Sequence, residues 1–418
     1  GSVIRATAQR VFVEEKPEVR KAGGVYYTPE YIVRYIVAQT VGKLITGKTP
    51  VEVAKLRFAD IACGSGSFLL GVFDELLRHH AEYYNQPGNE KQAKKDGCVQ
   101  TEDGLWRLSL AQRRAILQNN IYGVDIDRQA VEVAQLSLFL KLLEDERATS
   151  ARQYQLDYAR DANLKKLLPD LSSNIVCGNS LVGWDVANAM GLDQDGERLL
   201  NPLDFETAFP AVMRAGGFDA VVGNPPYLNI DETWGKGDFR LAAIKAAYPA
   251  IYNDKTDLLF YFLARAVEVS RGAVGYIVSR AFLEAYKADK LRAYLANRTA
   301  VRQLIDFRNT LIFKGVGITT CIIQVDAGGE PGEIDVRKQR LSTPPEPPLE
   351  AALADPAQFD AMRVPQARLG AAPWALAAPA AAALNDKLDA AGVRLGEVLL
   401  IGKGMETGRN DAFGDAMI

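Results

Sequence analysis

The stretch FDAVVGNPPYLN, residues 218–229, places an amide, two prolines and a tyrosine directly after an apolar run. Adjacent prolines remove two backbone donors and fix two φ angles, so a strand cannot continue through them. Asn224 offers a side-chain oxygen and Pro225 a main-chain carbonyl of fixed direction. Two acceptors aimed at an exocyclic base amine would stabilise the charge that develops as its nitrogen attacks an electrophile. Tyr227 can stack on such a base. The candidate catalytic residues are therefore Asn224, Pro225, Pro226 and Tyr227.

A glycine-bearing loop, DIACGSGSF at residues 60–68, follows the first predicted strand. Gly64 and Gly66 allow a tight turn whose backbone can approach a ligand at a helix N-terminus. A dinucleotide-binding loop would carry a third glycine where this chain has Leu69. The spacing therefore favours a loop that cups an adenosyl group with a methionine tail, with an ordinary structural turn as the alternative.

Polar residues also end two later predicted strands. Asp125, in YGVDID, can accept hydrogen bonds from both hydroxyls of a ribose. It lies further along the chain than the usual spacing of about 20 residues, and an insertion at residues 84–118 accounts for the excess. Asn179, in CGNSL, suits the edge of an adenine ring and equally suits a turn, and the residues alone leave both interpretations open.

Composition narrows the class of protein. The cysteines, Cys63, Cys98, Cys177 and Cys321, are widely separated, which predicts neither a zinc site nor a disulfide framework and favours a reducing cytoplasm. The two histidines are adjacent, so histidine triads and histidine metal sites are not expected, and we predict no metal. No apolar run approaches the roughly 20 residues of a membrane span.

Apolar runs typical of buried strands alternate with amphipathic helical stretches for most of the length, which predicts a doubly wound α/β domain with a mainly parallel sheet. We count seven such strands, at residues 56–62, 120–126, 173–179, 218–224, 273–279, 301–307 and 319–326.

Six stretches occur in a fixed order over residues 20–330: GGVYYTPEYIVRYIV, DIACGSGSFL, IYGVDID, CGNSL, GNPPY and GYIVSRAF. This series resembles the γ-class DNA adenine-N6 methyltransferases, especially the group with type IIG restriction–methyltransferase fusions and phage-exclusion methyltransferases. The resemblance implies a Rossmann-like class I fold and S-adenosylmethionine as cofactor. It implies methylation of the N6 amine of an adenine flipped out of a specific DNA sequence, in a restriction-modification or phage-defence system. The implied partners are double-stranded DNA and nuclease or other defence subunits, with no membrane.

The resemblance also assigns residues. It assigns cofactor binding to twelve residues: Tyr27, Thr28, Pro29, Asp60, Ala62, Gly64, Ser65, Gly66, Asp125, Ile126, Asn179 and Ser180. It gives the catalytic role to the Asn-Pro-Pro-Tyr segment. It further implies an aromatic ring on the second face of the target base, for which Phe282 and Tyr286 are both candidates.

The domain organisation follows from the same resemblance. We expect an N-terminal helical segment with the cofactor-closing motif at residues 1–50, and a catalytic domain at 51–330 with insertions at 84–118 and 180–217. Residues 331–394 are expected to form a linker and connector helix. Residues 395–418, with GKGMETGRNDAF, are expected to be the start of a truncated target-recognition domain.

Two other functions remain as alternatives. A protein glutamine N5-methyltransferase uses the same four-residue motif, because an amide nitrogen poses the same chemical problem. Such enzymes are compact and lack the YYTPE segment and the insertions. The second alternative is a catalytically inactive DNA-recognition component, against which the complete set of motifs argues.

Overall fold

The computed structural model describes residues 2–7, 10–15, 27–144, 169–313, 317–340 and most of 350–398. The chain divides into two compact units, residues 1–375 and residues 376–418. The first unit contains every described strand, and the second contains helix Pro379–Ala391. The expected start of a target-recognition domain at 395–418 lies, except for residue 398, outside the described residues.

Thirteen strands are found among the described residues: β1 Ser2–Thr7, β2 Arg10–Glu15, β3 Phe58–Asp60, β4 Val99–Gln100, β5 Trp106–Arg107, β6 Ile121–Asp125, β7 Ile175–Cys177, β8 Phe218–Gly223, β9 Ser270–Ser279, β10 Ala300–Asp306, β11 Thr320–Asp326, β12 Glu333–Gln339 and β13 Phe359–Pro365. Nine of them form the central sheet, in the order β13-β12-β10-β11-β9-β8-β3-β6-β7. β11 runs antiparallel to both of its neighbours and β13 antiparallel to β12, while the remaining strands share one direction. The predicted mainly parallel α/β fold is therefore confirmed.

The predicted number of seven strands is wrong, because the sheet has nine. All seven predicted strands are present, and β12 and β13 extend the sheet beyond β10. The extra strands lie in residues 331–394, which the sequence predicts as a linker. They escape prediction because most of their residues are exposed or half-buried: β12 buries Ile334 and Val336, and β13 buries Phe359 and Val364. They therefore lack the continuous apolar run of a strand covered on both faces.

From β3 to β10, helices separate the successive strands of the central sheet. The described α-helices are Glu30–Val37, Lys43–Ile45, Pro50–Val53, Ser67–Tyr84, Glu90–Lys95, Leu110–Asn120, Arg128–Leu143, Trp184–Met190, Gln194–Leu200, Phe205–Ala208, Pro210–Arg214, Ile230–Trp234, Phe239–Ala247, Leu259–Val269, Asp289–Arg298 and Pro379–Ala391. No helix among the described residues is both long and apolar enough to cross a membrane.

The segments outside the central sheet have structure of their own. Ahead of helix Glu30–Val37, β1 and β2 pair as antiparallel strands. Within the insertion at residues 84–118, the short hairpin of β4 and β5 packs through Trp106 against Tyr84 and Ala93. The insertion at 180–217 is a run of short helices that leads into β8.

The order of the strands defines one edge of the sheet as the place for a site. From β3 the chain proceeds to β6 and β7 on one side, and β8 and β9 lie on the other side. The order therefore reverses between β3 and β8. In open α/β sheets, ligands bind at the carboxyl ends of the strands where the order reverses. Asp60 and Gly223 end the two strands at this point.

Candidate active site

The glycine loop after β3 has the backbone conformation that its sequence predicts. Gly64 and Gly66 have positive φ angles of 53° and 91°, and Gly66 is the N-cap of helix Ser67–Tyr84. A Cβ on Gly66 would lie 3.2 Å from the Cβ of Ala134, so the glycine also permits close approach of helix Arg128–Leu143. A Cβ on Gly64 would meet no heavy atom within 4 Å, so a ligand can approach this part of the loop.

The Asp60 carboxyl group connects this loop to β8, the strand that ends just before Asn224. Asp60 is only 2% exposed, and its Oδ1 accepts a hydrogen bond from the Ala62 N–H at 3.0 Å. A Cβ on Gly223 would lie 2.7 Å from the same oxygen, so the residue before Asn224 must be small. Burial raises the pKa of Asp60 to about 8, the Ala62 N–H opposes that rise, and nearby Asp125 adds to it.

Asp125, at the end of β6, fixes the same loop from the other side. Its Oδ2 accepts from the Gly64 N–H at 2.8 Å, and its Oδ1 accepts from the Asp127 N–H at 2.9 Å. Burial raises its pKa, and these backbone donors partly offset the rise. Each oxygen keeps a further lone pair with which to accept a hydroxyl group. Ile126 and Ser65, the other candidate residues beside this contact, are exposed.

Both polar ends of the Asn179 side chain are bonded within the protein. Its Oδ1 accepts from the Leu181 N–H at 2.9 Å, and its Nδ2 donates to the Leu200 carbonyl at 2.9 Å. This is the behaviour that the turn interpretation predicts. The neighbouring Ser180 is buried and donates to the Ile61 carbonyl at 2.6 Å, which ties the end of β7 to the end of β3.

The Asn224 side chain contacts the N-terminal segment. Its Nδ2 donates to the Oγ1 of Thr28 at 3.0 Å, and Thr28 is buried. The adjacent Tyr27 is 65% exposed, while Pro29 begins helix Glu30–Val37 as its N-cap. The structure thus brings two predicted motifs together, and the bond to Thr28 turns the NH₂ end of the amide towards the N-terminal segment.

Tyr227 is held at both ends of its side chain. Its hydroxyl donates to the Ile277 carbonyl of β9 at 3.1 Å, and its ring lies edge-to-face on Phe313 with centroids 6.1 Å apart. Pro225 is buried and Pro226 half-buried. The sequence analysis misses Phe313, which lies between β10 and β11. An apolar triplet, LIF, inside an otherwise irregular loop is the signal that could have found it.

The two aromatic residues that the sequence analysis proposes for the second face of a base differ in their surroundings. Phe282 is fully buried and packs edge-to-face on Trp374 with centroids 5.8 Å apart. Tyr286 begins the 3₁₀ turn Tyr286–Ala288 and is 86% exposed. Among the described residues no ring contact joins either of them to Tyr227, and their role stays a prediction.

The sheet order, the glycine loop and the Asn-Pro-Pro-Tyr segment at the point of reversal define a Rossmann-like α/β protein of the class I methyltransferase type. Residues 119–313 match the Eco57I restriction-modification methylase family, and residues 12–166 match the N-6 DNA methylase family. Together the two models span residues 12–313, and the resemblance to the adenine-N6 DNA methyltransferases is confirmed.

Individual relatives are also described as methyltransferases. The chain is 29% identical over 338 residues to the type II restriction enzyme and methyltransferase RM.Eco57I of Escherichia coli, covering 77% of this chain and 31% of that protein. It is 25% identical over 345 residues to the adenine-specific methyltransferase PglX of Streptomyces coelicolor, covering 78% of this chain and 25% of that protein. The chain thus spans less than a third of the length of either relative.

Solved structures share the fold. The type IIL restriction-modification enzyme MmeI, in complex with DNA, has a TM-score of 0.51 at 14% identity, covering 84% of this chain and 41% of that one. A nuclease-deletion mutant of the type ISP enzyme LlaGI, in complex with a DNA substrate mimic, also has a TM-score of 0.51 at 14% identity, covering 81% and 26%. At this identity the likeness extends to the fold alone.

Proposed function

We propose that this chain transfers a methyl group from S-adenosylmethionine to the N6 amine of an adenine that is turned out of double-stranded DNA. The observation that carries the proposal is the position of Asn224, directly after β8 and beside the glycine loop that follows β3. An amine acceptor and a nucleoside-binding loop thereby share the point where the strand order reverses.

The residues around the glycine loop fit S-adenosylmethionine, which supplies an electrophilic methyl group on a positively charged sulfonium. Asp60 offers a buried carboxyl group for a cationic ligand. Asp125 offers two carboxylate oxygens, each with a lone pair left to accept a ribose hydroxyl. The open space over Gly64 gives the ligand access to the backbone at the start of a long helix.

Asn224 and Pro225 are proposed to bind the amine that reacts. The Oδ1 of Asn224 and the carbonyl of Pro225 would accept the two N–H bonds of the adenine amine, which concentrates electron density on its nitrogen. The bond from Asn224 to Thr28 supports this role, because it selects the oxygen end of the amide for the substrate. No general base is required before transfer, since the proton can leave afterwards.

Tyr227 and Phe313 are proposed to enclose the base, with Phe313 in the role for which the sequence suggests Phe282 or Tyr286. A base between two rings needs centroids about 7–8 Å apart, or two van der Waals contacts. The present separation is 6.1 Å, so the rings must part slightly and turn parallel. Stacking, at about 1–3 kcal/mol per base, would offset a flipping cost of a few kcal/mol.

We place this activity in a restriction-modification or phage-defence system, with DNA and nuclease or other defence subunits as partners. Support comes from relatives described as a restriction enzyme and methyltransferase and as an adenine-specific methyltransferase. The likeness in fold to restriction-modification enzymes bound to DNA agrees with this setting.

Transfer of a labelled methyl group tests the proposal. The 418-residue chain is incubated with methyl-labelled S-adenosylmethionine and unmethylated genomic DNA, and the DNA is digested to nucleosides. We expect label in N6-methyldeoxyadenosine. Asn224→Ala should abolish transfer while cofactor binding is retained, and Asn188→Ala, at an exposed helical asparagine, should leave both unchanged. Label on glutamine of a protein substrate with none in DNA would overturn the proposal.

A further inference from the structure

Asp257 is an acidic residue outside every motif of the sequence analysis, yet it bonds directly to the catalytic segment. Its Oδ1 accepts from the Leu228 N–H at 3.0 Å, one residue after Tyr227. The same oxygen accepts from the Leu259 N–H at 3.0 Å, where helix Leu259–Val269 begins. One carboxylate oxygen therefore joins the end of the Asn-Pro-Pro-Tyr segment to the start of a buried helix.

Main-chain bonds reinforce this connection. The Leu258 N–H donates to the Leu228 carbonyl at 2.8 Å, and the Ile230 N–H donates to the Thr256 carbonyl at 3.0 Å. Asn229 and Asp257 pair as an isolated antiparallel bridge. Residues 228–230 are thus held against residues 256–258, and Asp257 supplies the side-chain part of the contact.

The catalytic segment needs such an anchor because of its own composition. Pro225 and Pro226 have no backbone N–H, so they cannot tie the segment to a neighbour through that group. The Tyr227 hydroxyl fixes the far end of its ring to β9 through the Ile277 carbonyl. After the Tyr227 N–H, the next main-chain donor is the Leu228 N–H, and its bond to a carboxylate is of the stronger, charge-assisted kind.

We propose that Asp257 is a positioning residue for methyl transfer, which acts through the Leu228 N–H to fix the Pro225 carbonyl and the Tyr227 ring. The inference rests on the proposed function, because it assumes that these two groups receive the base and its amine. Asp257 itself does not touch the reacting atoms in this role. Its removal should let the segment move while the cofactor loop, on the other side of Gly223, keeps its structure.

Three variants of the full chain test this role. Asp257→Ala removes the acceptor, and Asp257→Asn keeps an oxygen that can accept both N–H bonds. Asp254→Ala is the matched control, since Asp254 is an exposed acid of the same loop whose partner is the Lys287 side chain. The measurements are the turnover rate on unmethylated genomic DNA, the dissociation constant of S-adenosylmethionine, and hydrogen exchange at the Leu228 amide.

We expect Asp257→Ala to lower turnover about 100-fold, the size of effect that a misplacement of about 1 Å can produce. Cofactor binding should stay within about threefold of wild type, and the Leu228 amide should exchange at least about tenfold faster. Asp257→Asn should recover most of the turnover and the protection, and Asp254→Ala should match wild type in all three measurements.

Two results would overturn the inference. One is unchanged Leu228 exchange in Asp257→Ala, and the other is turnover within about twofold of wild type despite faster exchange. Failure of the proposed function would differ, since the wild-type chain itself would then transfer no methyl group to DNA. In that case the exchange measurement still decides whether Asp257 holds the segment.

Discussion

At the scale of single residues, the site depends on polar groups whose partners lie far away in the sequence. The Asn224 amide bonds to Thr28, and the Asp60 carboxyl group fits against Gly223. The residue types in the motifs predict the candidate chemistry of Asn224, Asp60 and Asp125. The sequence does not predict the contact between Tyr227 and Phe313, because a local sequence pattern does not indicate which loops come into contact at the edge of a sheet.

The bond between Thr28 and Asn224 predicts that the threonine hydroxyl contributes to turnover. Thr28→Val keeps the shape of the side chain and removes the acceptor, which leaves a polar NH₂ group without that bond. A loss of about 1–2 kcal/mol is the usual size of such an effect, so we expect turnover to fall roughly tenfold. Thr28→Ser should restore it. Turnover and the cofactor dissociation constant, measured together, separate this role from cofactor contact, because a pure cofactor contact would change only the second quantity.

The raised pKa of Asp60 predicts that cofactor binding depends on pH. Burial raises the pKa of this carboxyl group to about 8, so it is mostly protonated at pH 7. A cationic ligand favours the ionised form and lowers that pKa, so binding must release a proton below pH 8. We expect the dissociation constant to fall by up to about tenfold per unit as pH rises from 6 towards 8, and then to level off. Calorimetry in buffers of different ionisation enthalpy measures the proton release, which Asp60→Asn should remove. Binding that is constant over this range, with no release, would contradict the expectation.

At the scale of elements, the sequence predicts the strands with continuous apolar runs and misses β12 and β13 at one edge of the sheet. β3, β8 and β11 present almost continuous buried residues, so their apolar runs identify them. β12 and β13 each bury only two of their seven residues. Their place in the sheet depends on the pairing of β12 with β10 and of β13 with β12, which are tertiary contacts that neither segment specifies by itself.

Buried Arg292 is an element-scale feature, because it joins one helix to two other segments. Its guanidinium donates to the carbonyls of Phe282, Ala285 and Ala371 at 2.8–3.0 Å. Burial lowers its pKa, in keeping with a cation that donates to carbonyl dipoles. Arg292 therefore holds the turn after β9 and the segment after β13 against helix Asp289–Arg298.

We predict that the substitution Arg292→Met greatly lowers the free energy of unfolding. The substitution leaves buried carbonyls without their donors, at roughly 1–3 kcal/mol each, so we expect the free energy of unfolding to fall by about 3 kcal/mol or more. Arg298→Met, at an exposed position of the same helix, is the control and should change it by less than about 0.5 kcal/mol. Urea unfolding followed by circular dichroism measures both. Equal midpoints for the two variants would show that the buried contacts contribute nothing.

At the scale of the whole molecule, the central sheet brings together motifs that are far apart along the chain. Motifs after β3, β6, β7 and β8 meet because the carboxyl ends of parallel strands share one edge. This is why the sequence predicts the general location of the site while the count of strands is wrong. The residues proposed to bind the cofactor and those proposed for catalysis also lie within one compact unit, residues 1–375.

Because the residues proposed for the cofactor and for the substrate share one unit, we predict that cofactor binding stabilises the folded state. This stabilisation should depend on Asp125 and should not depend on the Asn224 side chain. At 100 times its dissociation constant, a ligand of the native state adds about 2.7 kcal/mol to the free energy of unfolding. We expect this gain for wild type and for Asn224→Ala, whose change lies on the substrate side of the site. Asp125→Ala should lose most of it, because the Gly64 N–H then lacks the carboxylate that fixes the loop. Chemical unfolding with and without S-adenosylmethionine gives the three values. Equal gains for Asp125→Ala and wild type would mean that the cofactor binds elsewhere, and no gain for Asn224→Ala would mean that the two halves of the site are not separable.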